Sequence, residues 1–451
     1  MTIRDLRHFA RPNRGSVGPA PTRIRDVRRL CVLCLGTVLA AAAVTWGGAA
    51  TPSQATPSVI TTTPFTTPNT DGCPQKTKPP NPIDESEVPE PGEPTPTPLS
   101  VPIPPVGGSR LGECGVVLPR GAPAVPQDIS ATAWQVTDLD TGEVLAAKDP
   151  HGRYRPASTI KVLLATVALR SLDLNKTVTG TQEDANADGT RVGIGPGGRY
   201  TNRQLMQALI MASGNDAAHA IAAQLGGDAG AVQKMNELAK SLYALDTRTA
   251  SPSGLDGPGM STSAYDLSVL FREAMTIPLF AELIHTEQID FPGFPKDPKN
   301  PDDKDHPGFA VANDNHLLYE YEGAIGGKTG YTDDARQTFV AAAQRDGRRL
   351  VVTLLKADVL PLRPWEQAAR LLDYGFALPK GSTVGKLPET KSGSPKATAG
   401  LASPPPKDTD HEAQPADEPD NHSGTRTLLL IGGVVLILAL LLGARRVNRH
   451  R

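Results

Sequence analysis

Hydrophobic and polar positions divide this 451-residue chain into a periodic middle and aperiodic flanks. Within residues 110–386, alternation over 131–137 and 143–147 around the polar stretch 138–142 predicts a β-hairpin. A run beginning near Ser158 is apolar nearly all round over 162–169, as in a helix buried on every side. Thr201 with Gln204 three residues on forms a capping box that opens a helix over 202–212. Ser213 and Gly214 interrupt that pattern, and a helical period resumes over 216–224. Near the end of the periodic region, 326–331, 337–343 and 350–355 read as strands, the last two joined by a turn at 345–347, and 365–374 as an amphipathic helix. Strands at both ends with helices between them predict one α/β domain whose sheet the C-terminal strands complete.

Outside this domain the pattern changes in kind. Residues 51–109 are dominated by Thr, Pro and Ser and predict an extended, disordered tether. Residues 387–426 read as a second such linker, whose flexible coil would span on the order of 35 Å. Two apolar segments lie beyond the linkers. The first, within residues 1–50, follows Arg23, Arg25, Arg28 and Arg29 and ends in small residues, as an export signal does. Cleavage after Ala50 or Ala55 and retention as a signal anchor both fit it. The second, 427–444, has 18 residues without a charge and precedes a basic tail, 445–451, that holds four arginines. Its length and flanking charges predict a transmembrane helix with a cytoplasmic tail, which puts all that precedes it outside the membrane.

Composition narrows the chemistry. With 46 Lys and Arg against 48 Asp and Glu, the net charge of −2 gives no basic field for nucleic acid. Nine scattered histidines and no H-E-x-x-H or similar ligand spacing argue against a metal-dependent enzyme, and no cofactor is expected. His219 reads as a packed or surface residue. Of four cysteines, Cys31 and Cys34 fall in the first apolar segment. Cys73 and Cys114 remain in the exported part, as a bridge or as two free thiols.

Three short motifs carry candidate chemistry. Ser158 and Lys161 form an S-x-x-K at a helix start, a spacing that puts both side chains on one face, roughly 5 to 6 Å apart at Cβ, so that the amine can take the hydroxyl proton. Ser158 could equally be a plain helix cap. Ser213 and Asn215 flank a glycine where a helix breaks, a cleft pair or an ordinary capped loop. Lys328, Thr329 and Gly330 lie on a strand followed by Tyr331, where a cation and an open strand edge could bind a carboxylate, or where a lysine merely protects an edge.

In the order S-x-x-K, S-x-N, K-T-G, the three form the signature of β-lactamases and penicillin-binding proteins. Over residues 131–378 the chain resembles the D-alanyl-D-alanine carboxypeptidases among low-molecular-mass penicillin-binding proteins, peptidase family S11. The stretches SPSGLDGPGMSTSAYDLSVL (251–270) and NDNHLL (313–318) add to the likeness. The resemblance implies a penicillin-binding protein or serine β-lactamase-like fold, an antiparallel sheet flanked by a helical cluster. It implies an enzyme that removes the terminal D-alanine from peptidoglycan stem pentapeptides through an acyl-enzyme and is acylated by β-lactams. Ser158 would be the nucleophile, Lys161 its base, Ser213 a proton relay and Asn215 a ligand of the substrate amide. Lys328 and Thr329 would hold the terminal carboxylate, with backbone N–H groups of Ser158 and Tyr331 around the oxyanion. Arg363 is the expected carboxylate-binding arginine and Arg336 its rival. A serine β-lactamase and a catalytically silent wall-binding module are the alternatives on this fold.

Overall fold

A computed structural model describes residues 67–391. Both apolar segments, the basic tail and residues 392–426 of the second linker lie outside the described residues. Among the described residues no helix is long and apolar enough to cross a membrane.

The domain opens with strands β1 (Val116–Val117), β2 (Ala133–Asp138) and β3 (Glu143–Lys148). The β2–β3 hairpin turns where the Asp138 carboxylate accepts the N–H groups of Asp140 and Thr141 at 3.1 and 3.0 Å, and Gly142 takes a left-handed φ of 76°. A 3-10 turn, Ala157–Ile160, leads into helix α1 (Lys161–Ser171). Then come β4 (Thr177–Thr179), α2 (Gln182–Ala185), β5 (Arg199–Thr201), α3 (Asn202–Met211), α4 (Asn215–Gln224), α5 (Gly227–Ser241), α6 (Ala264–Ala274), α7 (Pro278–His285), β6 (Gln288–Phe291), β7 (Phe309–Ala312) and α8 (Leu317–Glu320). The chain returns to the main sheet with β8 (Ala324–Thr332), β9 (Arg336–Arg345) and β10 (Arg348–Ala357), followed by α9 (Pro364–Ala377) and β11 (Gly385–Lys386).

The main sheet runs β1-β3-β2-β10-β9-β8, with β11 also on β3, and every pairing is antiparallel. Central β10 shows the two-residue period of a strand covered on both faces. Leu350, Val352 and Leu354 pack in one core with Leu371 and Leu372 of α9. Val351 and Leu355 point the other way, into the helical cluster that holds Leu163, Leu164 and Leu270. Thr353 on that second face bonds the Ser268 hydroxyl of α6 at 2.9 Å. The α/β sandwich completed by C-terminal strands is thus the observed architecture. The Thr201 and Gln204 capping box at α3 is also present.

Residues 67–109 differ from the expected tether. They form a strap over the body, with little regular structure of its own. A proline-rich chain keeps its carbonyl acceptors while giving up N–H donors, and the body supplies the missing donors. Buried Arg153 reaches Thr77 O at 2.8 Å and Ser100 O at 2.9 Å, and Arg248 reaches Thr97 O at 3.0 Å. Cys73 and Cys114 are joined by a disulfide, their Cα atoms 5.1 Å apart. Such a segment needs no core of its own. The boundary expected at residue 387 also shifts: Leu387 is buried, and Arg272 holds Pro388 O at 3.0 Å.

Candidate active site

Ala157 takes a left-handed φ of 47°, and the turn after it holds Ser158. The α-helix expected to begin at Ser158 begins at Lys161, because residues 157–160 wind as a 3-10 turn. Residues three apart eclipse in a 3-10 turn, so the motif spacing still brings the side chains together. Lys161 Nζ lies 2.6 Å from Ser158 Oγ. It also lies 2.7 Å from Asn215 Oδ1, 2.8 Å from Ser253 O and 3.5 Å from Ser213 Oγ. Lys161 is fully buried, so these neighbours replace water around the amine.

Ser213 bridges α3 and α4 with a left-handed φ of 57°, which turns its hydroxyl toward Lys161 instead of continuing the helix. Asn215 opens α4, and its amide donates to Asp188 O at 2.6 Å. The Asp216 carboxylate beneath it accepts from the N–H groups of Val192, Gly193 and Ile194 at 3.1, 2.8 and 2.9 Å. The loop across the site is thereby tied to the start of α4.

Strand β8 forms the opposite wall. Lys328 is fully buried, with Nζ 3.0 Å from Thr329 O and 3.5 Å from Asp314 Oδ2. Thr329 donates its hydroxyl to the same Asp314 oxygen at 2.8 Å. A Cβ on Gly330 would fall 2.8 Å from Ser158 N and 3.0 Å from Thr159 N, so only glycine lets the strand lie this close to the nucleophile's turn. Tyr331 is half exposed, its hydroxyl donating to Asp333 at 2.7 Å. The two rival arginines separate. Exposed Arg363, just ahead of α9, lines a cavity of about 280 Å³ with Asp314, Thr329 and Trp365. Arg336 instead pairs with Asp358 at 3.0 Å.

Burial drives the Lys161 amine well below the ordinary lysine range, and the Lys328 charge pushes the same way, against the weaker pull of Asp314 and Asp216. Lys328 is also lowered by burial, with Asp314 opposing. A deprotonated amine against a hydroxyl, with a cation and an open strand edge nearby, can take the serine proton for attack on a carbonyl. Reasoning from sequence missed Asp314, Asp216 and Ser253. Asp314 and Ser253 sit inside the two stretches that resembled the family, but the Ser253 contact is a backbone carbonyl, for which residue type gives no signal.

The profile of the family described as D-alanyl-D-alanine carboxypeptidase, peptidase S11, matches residues 120–359. The chain belongs to this family. It is 47% identical over 275 residues to the D-alanyl-D-alanine carboxypeptidase DacB2 of Mycobacterium tuberculosis, an overlap of 60% of this chain and 90% of that one. It is 30% identical over 246 residues to DacF of Bacillus subtilis, covering 53% of this chain and 60% of the relative. Among solved structures, the D-alanyl-D-alanine carboxypeptidase of M. tuberculosis H37Rv aligns with a TM-score of 0.55 at 46% identity, covering 60% of this chain and all of that one. The Streptomyces K15 DD-transpeptidase aligns at 0.52 and 28%, covering 57% of this chain and all of its own. The antiparallel sheet with its flanking helices is thus the α/β fold of the carboxypeptidase family, and the strap precedes the matched part.

Proposed function

We propose that this chain is a serine D-alanyl-D-alanine carboxypeptidase, acting on peptidoglycan stem pentapeptides and acylated by penicillins. The observation that carries the proposal is the buried Lys161 amine 2.6 Å from Ser158 Oγ, in a site walled by Lys328 and Thr329. Ser158 Oγ attacks the carbonyl between the two terminal D-alanines while its proton passes to Lys161 Nζ. The C–N bond then breaks, and the proton reaches the departing D-alanine amine through the Ser213 hydroxyl. Water then attacks the ester carbonyl and gives its proton to Lys161 Nζ; as the ester C–O bond breaks, that proton returns to Ser158 Oγ, which restores the serine and frees a tetrapeptide carboxylate. Asn215 orients the substrate amide. Lys328, Thr329 and Arg363 engage the terminal carboxylate, the group that distinguishes this substrate. Backbone N–H groups of Ser158 and Tyr331 face the oxyanion, a role supported by the close approach that Gly330 allows.

Penicillin presents an amide to the same serine and stays attached as the ester. Peptide mapping after labelled penicillin should place a long-lived adduct on Ser158. An adduct elsewhere, or rapid release of hydrolysed penicillin as in a β-lactamase, would defeat the assignment.

The proposal extends to location. Residues 427–444 serve as a transmembrane anchor, the N-terminal apolar segment directs export, and the linker lets the catalytic body work away from its membrane. The Cys73 to Cys114 disulfide supports an oxidising, extracytoplasmic setting.

A further inference from the structure

The segment that leads into the nucleophile carries two arginines that are almost wholly buried, Arg153 and Arg155. Arg153 is neutralised from within the body, by Asp246 at 3.2 Å. Arg155 is paired from outside it. Its partner is Glu87, a strap residue that lies ahead of the 120–359 family match. Asp334 and Asp256 also act on Arg155. The strap also fixes Asp334, two residues beyond β8, through the Ile83 N–H at 2.8 Å. The strap therefore meets two of the segments that converge on the site, 153–158 and 328–334.

The backbone between Arg155 and Ser158 needs such support. A left-handed φ of 47° at Ala157 is unfavourable for a residue with a side chain and persists only where its surroundings enforce it. The body supplies part of the enforcement. Thr338 donates its hydroxyl to Pro156 O at 2.8 Å, and Gly254 packs so closely that an added Cβ would fall 2.1 Å from Ala157 O. Two residues ahead of Ala157 stands the pair between Arg155 and Glu87. Removal of Glu87 would leave this buried guanidinium with only the longer-range charges of Asp334 and Asp256, and breaking a buried pair destabilises the segment that carries it.

We infer that Glu87 is a positioning residue for acyl transfer: by holding Arg155, the strap fixes the turn that presents Ser158 to Lys161 and to the edge of β8. The inference rests on Ser158 being the nucleophile. The strap, which lies ahead of the family match, thus sets how fast the serine is acylated.

The test compares full-length wild type, Glu87→Gln and Glu87→Asp in the rate constant for acylation by a labelled penicillin, and in kcat and KM for release of D-alanine. Glu87→Gln should lose roughly ten- to a hundred-fold in acylation and in kcat, with KM held within about two-fold, the pattern of a misplaced reacting group. Glu87→Asp keeps the charge on a shorter stem and should lose about three- to ten-fold, and it decides the matter if the neutral variant does not fold. Wild-type rates in a folded variant, even one with a lowered melting temperature, overturn the inference and leave the strap a brace. A wild-type enzyme that takes no penicillin at Ser158 is a different result: it removes the nucleophile assignment, and the role of Glu87 falls with it.

Discussion

Lys161 Nζ stands 2.6 Å from Ser158 Oγ with no water-exposed surface of its own. Burial, helped by the Lys328 charge, keeps its pKa well below the ordinary 10.5. Below the depressed pKa the amine is protonated and cannot accept the serine proton; above it the amine is free. The rate of penicillin acylation should therefore rise with pH and reach its plateau well below pH 10.5. Lys161→Ala should lose roughly 10²- to 10⁴-fold, the usual contribution of a general base. A rate still climbing at the pH of a free lysine would contradict the assignment.

Two neighbours push that ascending limb in opposite directions. Lys328 lowers the Lys161 pKa and Asp314 raises it. Lys328→Gln should move the limb to higher pH, and Asp314→Asn should move it to lower pH. Loss of Lys328 should also reduce kcat/KM for a peptide ending in D-alanine by about ten- to a hundred-fold, because a charge-assisted contact to the carboxylate disappears. Shifts of the same sign in both variants would mean that Lys161 does not govern the limb.

Gly330→Ala should be disabling out of proportion to its size. The added Cβ would meet Thr338 Oγ1 at 2.4 Å and Ser158 N at 2.8 Å. The second contact is backbone and cannot rotate away. A stability loss of about 1 to 3 kcal/mol is expected from overpacking, read as the denaturation midpoint. Acylation should fall further than that loss explains, since β8 and the serine turn must separate. A variant with wild-type acylation would show that the strand edge is not part of the site.

Local patterns made much of this site legible. The capping box at Thr201, the apolar runs of β9 and β10, and the three short motifs are local signals, and each maps onto an observed element. What escaped depends on distant partners. Residues 67–109 are rich in proline and polar residues and carry no helical or strand period, yet their carbonyls are held by Arg153 and Arg248 from far along the chain. Helix α6 hid for the opposite reason. It is buried along its whole length, including Arg272 and Glu273, and so lacks a solvated polar face. Arg272 satisfies itself on the carbonyls of Leu139 and Asp140 at 2.9 and 3.0 Å, a solution that composition alone does not reveal. Of the two arginines proposed for the carboxylate, only geometry separates Arg363, in the cavity with Thr329, from Arg336, paired with Asp358.

The disulfide closes a sequence separation of 41 residues, for which loop-closure entropy gives up to about 4 kcal/mol. Replacing Cys73 and Cys114 by serine should lower the denaturation midpoint. Reductant should lower the midpoint of the wild type and leave the double variant unchanged. A wild-type midpoint indifferent to reductant would mean that the strap is held by its arginine contacts alone.

The central claim is tested most directly by incubating the purified enzyme with a stem pentapeptide ending in D-alanyl-D-alanine and following the products by mass. Wild type should convert pentapeptide to tetrapeptide with one equivalent of free D-alanine, and Ser158→Ala should release none. Unchanged release by Ser158→Ala, or accumulation of cross-linked dimers in place of tetrapeptide, would contradict a serine carboxypeptidase.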